Sequence, residues 1–314
     1  MVSIAKTDVA KFSTVKIVVL LLLGIIAAGS FISRCAAAAP TESTFSGDSL
    51  FAQSAAQTLR REFQSKEVSF LLLDAQSGRL LASRWDEPER PIPLGSLIKL
   101  FIALAYGDEH QFRYPVHICK GEASGCWLPR GHGEIDIVSA IAYSCNSYFR
   151  MLTAKMTGAD VALAAGQFGV ETPPRNLYGP DLIGMGNRWL ISPLRMARAY
   201  VELNRRRNQP GAHEALAGMA QSARQGTGME VDRALKYSAA MVKTGTAACT
   251  HQPHAPGDGF VVALFPANRP ELLLMVRVHG VPGARASVTA GRMLERIESS
   301  RSESNPVASR RIGE

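Results

Sequence analysis

The sequence predicts an α+β fold, with one antiparallel sheet flanked by helices and joined to a mainly helical region. Strand-like runs lie towards both ends of the chain, at 68–84 and 260–278, whereas 97–169 has mostly helical spacing. Hydrophobic residues make up 46% of the 314 residues, which is enough for a substantial core. These observations favour a single large domain, and no internal repeat stands out.

The N-terminus has the pattern of an export signal. Lys6, Lys11 and Lys16 precede an uncharged apolar run at 17–32, and an alanine-rich stretch follows at 35–39. The run is long for a cleaved signal and short for a spanning helix, which needs about 20 residues. We therefore predict a signal peptide or a membrane anchor at 1–39, and either one exports the rest of the chain.

The remaining elements follow from short-range patterns of apolar, turn and capping residues. In order, they are a polar linker at 40–49, a helix at 50–64, a hairpin of strands at 68–74 and 79–84, helices over much of 97–169, a helix from Ser192 to about Asn204, strands at 237–242, 260–266 and 271–278, and a closing helix at 287–298. The polar residues 301–314 are expected to form a disordered tail, so the domain covers 50–300.

The first candidate site residues are Ser96 and Lys99. Ser96 follows a turn-like segment and precedes an apolar helical run, so its hydroxyl is expected at a helix N-terminus. Lys99 lies one turn further along the same face and can reach that hydroxyl. Burial should lower the pKa of Lys99, and a neutral amine could then serve as the base for a serine nucleophile. Taken alone, the pair fits two interpretations about equally well. Ser96 and Lys99 could be a catalytic pair, or Ser96 could cap the helix while Lys99 lies on the surface.

Ser144 and Asn146 form a second candidate pair, in a short connection between two helical patterns. Residues two apart in such a connection tend to point the same way, so both can face one cleft while Cys145 points into the body. Ser144 would then pass a proton to a departing amine, and Asn146 would bind a substrate backbone. Taken alone, the segment Ser144-Cys-Asn146 is better explained as a plain helix cap.

The third candidate segment is Lys243-Thr244-Gly245-Thr246, which follows the predicted strand at 237–242. Lys243 adds positive charge, and Thr244 and Thr246 offer hydroxyls to a carboxylate. Gly245 would let a substrate backbone approach closely. The backbone N–H groups of Thr246 and Ser96 would together form an oxyanion hole.

Four residues have a spacing suited to zinc: Cys119, Cys126, His132 and Cys145, in the pattern C-x6-C-x5-H-x12-C. Three thiolates and one imidazole are a common tetrahedral zinc set. An exported domain can also form disulfides, and Cys119 and Cys126 are close enough for a small loop bridge. Three alternatives therefore remain open: a zinc site, a disulfide, or neither. A metal here would be structural.

Together the strings S-x-x-K, S-x-N and K-T-G, in this order, resemble the serine acyltransferases that act on D-Ala-D-Ala peptides and penicillins. Flanking residues are similar to the transpeptidase domain of class B penicillin-binding proteins, especially the elongation type. The resemblance covers 67–280. It is carried by 126–137 and 140–149 on the approach to the second string, by Gly184-Met-Gly186 with the helix at 191–200, and by Gly226-Thr-Gly228 upstream of the third string.

This resemblance implies a β-lactamase/transpeptidase-like fold and a peptidoglycan D,D-transpeptidase that works through a serine acyl-enzyme without a cofactor. It implies stem peptides and β-lactam antibiotics as ligands, cell-wall synthesis proteins as candidate partners, and a location at the outer face of the bacterial inner membrane or in the periplasm. Some elongation-type relatives hold a zinc beside the second motif, and His132 and Cys145 resemble their pattern.

The sequence departs from this family in two places. Only about 35 residues separate the apolar segment from the first predicted strand, so no pedestal domain is expected there. Gly257-Asp-Gly-Phe260 stands where the family commonly has an aromatic strand opening, which leaves the depth of the cleft and the acceptor open.

Three other functions compete. Water as acceptor would give a carboxypeptidase or endopeptidase. A serine β-lactamase needs a base for the deacylating water, and Glu202-Leu-Asn204 lacks two residues of the E-x-x-L-N pattern, while Asn146 argues against the oxacillinase-like class. A non-enzymatic penicillin receptor is the third.

The net charge of +8 comes with no groove-reading motif, so nucleic acid is not an expected partner.

Overall fold

The computed structural model describes residues 49–249 and 257–304, with backbone alone at 301–304. At its centre lies a five-stranded antiparallel sheet of order β2-β1-β9-β8-β7, accompanied by two short ladders, β3 with β6 and β4 with β5. The strands are β1 (Val68–Asp74), β2 (Leu80–Arg84), β3 (Ile92–Pro93), β4 (His117–Cys119), β5 (Gly133–Ile135), β6 (Leu190–Ile191), β7 (Met241–Ala247), β8 (Asp258–Phe265) and β9 (Leu272–His279).

Helices cover both faces of the sheet. They are α1 (Leu50–Glu62), α2 (Lys99–Glu109), α3 (Ile137–Ala142), α4 (Asn146–Leu152), α5 (Gly158–Gln167), α6 (Gly179–Leu182), α7 (Pro193–Arg205), α8 (Ala212–Gln225), α9 (Met229–Ala234) and α10 (Gly283–Ser304). In the described ranges, none of these helices is both long and apolar enough to span a bilayer.

The two faces of the sheet carry separate cores, because side chains alternate along each strand. On β9, Leu272, Leu274 and Val276 belong to the core shared with α1 and α10. Leu273 and Met275 belong to the core on the opposite face, shared with α2 and α7. Since both faces are buried, β1 and β9 read as continuous apolar runs instead of alternating ones.

The predicted α+β class is confirmed, with an antiparallel sheet flanked by helices. The hairpin and the last two strands lie close to their predicted positions, and α7 begins after Ser192 as predicted. The closing helix is longer than predicted, because α10 reaches Ser304 and so includes the first four residues of the predicted tail. The segment 1–39, most of the linker and the rest of the tail lie outside the described residues.

Helices occupy much of 97–169 as predicted, and the short hairpin of β4 and β5 interrupts them around the cysteines. One prediction about the elements is wrong. The strand predicted at 237–242 begins at Met241. Its N–H groups upstream of that point bond to side chains instead of a neighbouring strand: those of Lys236 and Tyr237 to the Glu298 carboxylate, and that of Ala240 to Asp232.

Candidate active site

Ser96 and Lys99 lie where a short 3-10 turn (Gly95–Ile98) runs into α2. The Ser96 side chain borders a cleft, while the Lys99 side chain is fully buried. Burial lowers the pKa of Lys99 to about 7, against the opposing effect of the Cys145 and Cys126 thiolates. Near neutral pH this amine is therefore partly uncharged.

Lys99 is held by the second motif. Its Nζ donates to the Ser144 carbonyl oxygen at 2.8 Å and to Asn146 Oδ1 at 2.5 Å. The hydrogen bonds of the described residues do not include one between Lys99 and the Ser96 hydroxyl, which was the expected contact. Catalytic hydrogen bonds are often long before substrate binds, so we expect this one to shorten in the complex.

Ser144 has a backbone conformation that places its hydroxyl between two lysines. Its φ of 51° lies in the left-handed region, which costs a non-glycine residue about 1–2 kcal/mol. The hydroxyl oxygen accepts from Lys243 Nζ at 3.0 Å and lies 3.5 Å from Lys99 Nζ. Cys145 is fully buried, while Ser144 and Asn146 line the cleft.

Lys243 is the second fully buried lysine of the site. Its Nζ also donates to the Thr244 carbonyl oxygen at 2.7 Å. Burial, followed by the nearby Lys99, holds the pKa of Lys243 well below its usual range. Two buried amines that share one hydroxyl repel each other when both are charged, so states in which at least one of them is neutral are favoured.

The third motif lies on β7, the edge strand of the sheet. Thr244 donates to the Thr227 hydroxyl at 2.6 Å, so its proton is used inside the protein. Thr246 is exposed, and its hydroxyl accepts from the Gly283 N–H at 2.9 Å. Of the two threonines, Thr246 therefore keeps a hydroxyl proton that is free to serve a ligand.

Glycines let four backbone segments touch around the cleft: the Ser96 turn, β7, the loop that contains Gly184 and the start of α10. A Cβ on Gly95, whose φ is 57°, would clash with the carbonyl oxygen of Thr246. A Cβ on Gly184 would clash with the carbonyl of Gly95, and one on Gly283 with the carbonyl of Gly245. The Ser96 turn, β7 and the start of α10 are thus packed backbone against backbone.

The role expected for Gly245 is different in the structure. The position of a Cβ on Gly245 is filled by the Leu94 carbonyl oxygen, 2.6 Å away, and by Leu97. Although Gly245 lines the cleft, its missing side chain makes room for the protein's own turn and not for a substrate.

The three motifs converge on one cleft of about 840 Å³, a size suited to a peptide-like ligand. Sequence reasoning missed three polar or aromatic side chains that also line it: Trp127, Asn187 and Thr227. The first follows Cys126 directly, and the other two lie beside glycines of the Gly184-Met-Gly186 and Gly226-Thr-Gly228 strings. The position of each beside a motif residue or a turn glycine was the available signal.

Behind Asn146 lies the predicted cluster of three cysteines and one histidine. Cys119 Sγ and Cys126 Sγ lie 3.5 Å and 3.6 Å from His132 Nδ1, and Cys126 Sγ lies 3.7 Å from Cys145 Sγ. Tetrahedral zinc, with Zn–S of about 2.3 Å and Zn–N of about 2.0 Å, separates its ligand atoms by about 3.5–3.8 Å. The donor set therefore fits zinc, and all three thiols are free of disulfides.

The thiols of this cluster differ in their ease of ionisation. Although burial opposes ionisation, backbone N–H groups of Gly121 and His132 bring the pKa of Cys119 down to about 6. Burial raises the pKa of Cys145 well above its usual range. A bound cation would supply the charge needed to ionise Cys145.

Comparison with known proteins identifies the family of this chain. Residues 68–297 match the family described as the penicillin binding protein transpeptidase domain. The chain therefore belongs to the penicillin-binding protein transpeptidase family. It is a penicillin-binding transpeptidase of peptidoglycan synthesis, so the predicted class of protein and its predicted function are confirmed. No curated protein matches the sequence significantly.

Solved structures show the same fold at low identity. Pseudomonas aeruginosa PBP2, in complex with WCK 5153, is 16% identical, with a TM-score of 0.63 over 80% of this chain and 73% of its own. The transpeptidase domain of Burkholderia pseudomallei penicillin-binding protein 3 is 16% identical, with a TM-score of 0.61 over 82% of this chain and 94% of its own. Helicobacter pylori PBP2, in complex with MreC, is 16% identical, with a TM-score of 0.60 over 82% of this chain and 63% of its own.

Proposed function

We propose that this chain is a serine-type D,D-transpeptidase that joins peptidoglycan stem peptides through an acyl-enzyme on Ser96. The observation that carries the proposal is the convergence of all three motifs. The Ser144 hydroxyl lies between Lys99 and Lys243, in the same cleft that Ser96 borders. A nucleophile, a base of lowered pKa and a proton relay are the groups that acyl transfer requires.

Acylation begins when the Ser96 hydroxyl attacks the carbonyl carbon of the penultimate D-Ala. The hydroxyl proton passes to the neutral Lys99 amine, whose two N–H groups are held by Ser144 and Asn146. This leaves the amine lone pair for the proton. The backbone N–H groups of Ser96 and Thr246 would stabilise the oxyanion, since the Thr246 backbone packs against Gly95.

Departure of D-Ala requires a proton on the leaving amine. The Ser144 hydroxyl is suited to donate it, because Lys243 Nζ lies 3.0 Å away and Lys99 Nζ 3.5 Å away, and either can return a proton to Ser144. The same path runs in reverse when the amine of a second stem peptide attacks the Ser96 ester. The new amide then forms and the Ser96 hydroxyl is regenerated.

The terminal carboxylate of the donor peptide is best served by Thr246. Its hydroxyl proton is free, whereas that of Thr244 is donated to Thr227. Lys243 is fully buried and supports the carboxylate through its charge when protonated, without direct contact. Thr244 therefore acts by positioning Thr227 and β7. Asn146 holds Lys99 and also binds the substrate backbone.

The arrangement favours transfer over hydrolysis by a β-lactamase route. Glu202, the glutamate nearest to a β-lactamase pattern, pairs on α7 with Arg206 at 2.7 Å and Arg205 at 3.2 Å. The described residues that line the cleft bring hydroxyls, amides and apolar groups, without a carboxylate. Carboxypeptidase activity, with water as acceptor, remains the side reaction that this chemistry allows.

Mass spectrometry after incubation with penicillin, and separately with a D-Ala-D-Ala peptide, tests the function. We expect a long-lived penicillin adduct on the peptide that contains Ser96, and release of D-Ala from the peptide substrate. Rapid turnover of penicillin would contradict the proposal in favour of a β-lactamase. A stable adduct without any release of D-Ala, even with an added amine acceptor, would instead identify a receptor.

The proposal includes a structural zinc at Cys119, Cys126, His132 and Cys145, with no role in the reaction itself. The metal would join the β4–β5 hairpin to the residue between Ser144 and Asn146, and so hold both side chains toward Lys99. A zinc held by three thiolates is a stable structural centre.

We expect about one zinc per chain at this cluster, because its ligand spacing matches a tetrahedral site. The difference in zinc content between the wild type and a Cys126→Ser chain measures it, combined with thiol titration of the wild type under denaturing conditions. A Cys126→Ser chain should lose this zinc. A metal-free wild type with two fewer titratable thiols than cysteines would support the disulfide instead.

The proposed location and partners follow from the same reaction. An export segment at 1–39 would place the domain at 50–300 on the outer face of the bacterial inner membrane or in the periplasm, where stem peptides are cross-linked. The similarity to Helicobacter pylori PBP2, solved in complex with MreC, supports a place in a comparable cell-wall assembly.

A further inference from the structure

A second group of side chains that are able to bind a metal lies at the C-terminal end of β7, where the strand leaves the cleft. Cys249 follows β7, Asp258 begins β8, and His279 ends β9. One ligand atom from each lies within 4.8 Å of the others. None of the three takes part in the proposed reaction or in the first cysteine cluster.

The sheet register brings these residues together. Asp258 pairs with Ala247 on β7 and with His279 on β9, so it lies at the centre of three strand ends. Cys249 is two residues beyond Ala247, and side chains two apart on an extended chain point the same way. The three side chains thus meet on one face of the sheet.

The cluster is buried. Cys249 and Asp258 are 8% and 3% exposed, and the His279 side chain is 11% exposed. His279 Nδ1 lies 2.9 Å from Asp258 Oδ1. That distance suits a hydrogen bond, and it is also within a few tenths of an ångström of the roughly 3.3 Å between nitrogen and oxygen ligands of a tetrahedral zinc.

We propose that Cys249, Asp258 and His279 bind a second divalent metal ion of the zinc type. A thiolate, a carboxylate and an imidazole are all ligands that zinc accepts, and three of them leave one position of a tetrahedral ion for water or a further ligand. The thiolate argues against calcium and magnesium, which prefer oxygen ligands. One thiolate and one carboxylate also neutralise the charge of the ion.

Arg277 offers a competing account of the same cluster. It lies on β9 two residues before His279, its guanidinium lies 4.6 Å from the Trp85 ring, and its charge interacts with Asp258 and Cys249. An ionic cluster held by this arginine needs no metal. An arginine needs only hydrogen-bond or charge contact with these groups, whereas a metal ion requires their donor atoms to lie around one centre, and here they lie within 4.8 Å of one another.

A metal here would act on the cleft through the end of β7, and not through the connection that carries Ser144 and Asn146. Ala248, next to Cys249, and Gly257, next to Asp258, both line the cleft. The ion would tie the ends of β7, β8 and β9 together and hold the edge strand that carries Thr246 in register. This role is separate from acylation, so its failure would leave the proposed function intact.

The test is a metal count on the full-length chain, purified without chelators, together with cobalt substitution. We expect about two zinc ions per wild-type chain and about one in the Cys249→Ser and His279→Gln chains. The cobalt form of these two variants should lose one ion while keeping the intense sulfur-to-cobalt absorption of the three-thiolate site. His213→Gln, which changes a histidine whose side chain is 73% exposed, is the control and should keep both ions.

An equal metal content in wild type, Cys249→Ser and His279→Gln would overturn the proposal and support the ionic cluster around Arg277. Thermal unfolding checks that the variants are folded. If neither variant folds, the cobalt titration of the wild-type chain decides. Saturation at two ions supports the second site, whereas saturation with no ion beyond the one that gives the three-thiolate absorption overturns it.

Discussion

A Ser96→Ala chain is expected to lose covalent labelling by fluorescent penicillin while it keeps its fold. Removing the nucleophile of a serine acyltransferase lowers acylation by at least roughly 10³-fold, which brings labelling to background. The side chain borders the cleft and is not part of either core, so its loss should change the free energy of unfolding by less than about 1 kcal/mol. Gel fluorescence and thermal unfolding measure the two effects.

Ser83→Ala is the matched control, because Ser83 is an exposed serine on β2, away from the cleft. It should label at the wild-type rate. Labelling of Ser96→Ala that persists at a rate close to wild type would remove Ser96 from the nucleophile role, and the whole mechanism would fail with it.

The rate of penicillin acylation is expected to fall about tenfold for each pH unit below about 7, and to level off above it. The reason is that Lys99 must be neutral to accept the Ser96 proton, and burial lowers its pKa to about 7. Lys99→Met should abolish this acylation at every pH, whereas Lys120→Met, at an exposed position, should keep both the rate and its pH profile. Stopped-time labelling from pH 5.5 to 9 measures the profile.

The same lysine predicts how stability depends on pH. In the unfolded chain Lys99 has its usual pKa of 10.5, so between about pH 7 and 10.5 the unfolded state holds more protons than the folded one. The contribution of Lys99 to the free energy of unfolding therefore increases as pH rises through this window and is constant below it. Lys99→Met should reduce the slope of the free energy of unfolding against pH by up to the equivalent of about one bound proton. An unchanged slope would mean that the buried amine stays charged.

The sequence predicted the site better than it predicted the path of the chain between the motifs. The α+β class and the main hairpin follow from apolar runs and the turn residues between them, which are local features of the sequence. The hairpin of β4 and β5 has only three residues in each strand, which are too few to show an apolar periodicity. The segment before Met241 looked like a strand because its residues suit one, but carboxylates of Glu298 and Asp232 bond its N–H groups instead.

Within the site, residue types indicated which groups would meet but not their mutual orientation. The string Ser144-Cys-Asn146 predicted an inward Cys145, since that depends only on alternation. The positive φ of Ser144 and the contacts of Lys99 with Asn146 depend on tertiary packing. The same limit explains Gly245, because only the folded chain shows the Leu94 carbonyl filling the place of its side chain.

The backbone packing of Gly95, Gly184, Gly245 and Gly283 has a consequence for drug resistance. Substitutions that reshape a binding site usually act by changing side-chain bulk, but at these positions any side chain would push two chain segments apart. We therefore expect selection for weaker antibiotic binding to act on exposed cleft residues that carry side chains, such as Trp127, Met185 and Asn187.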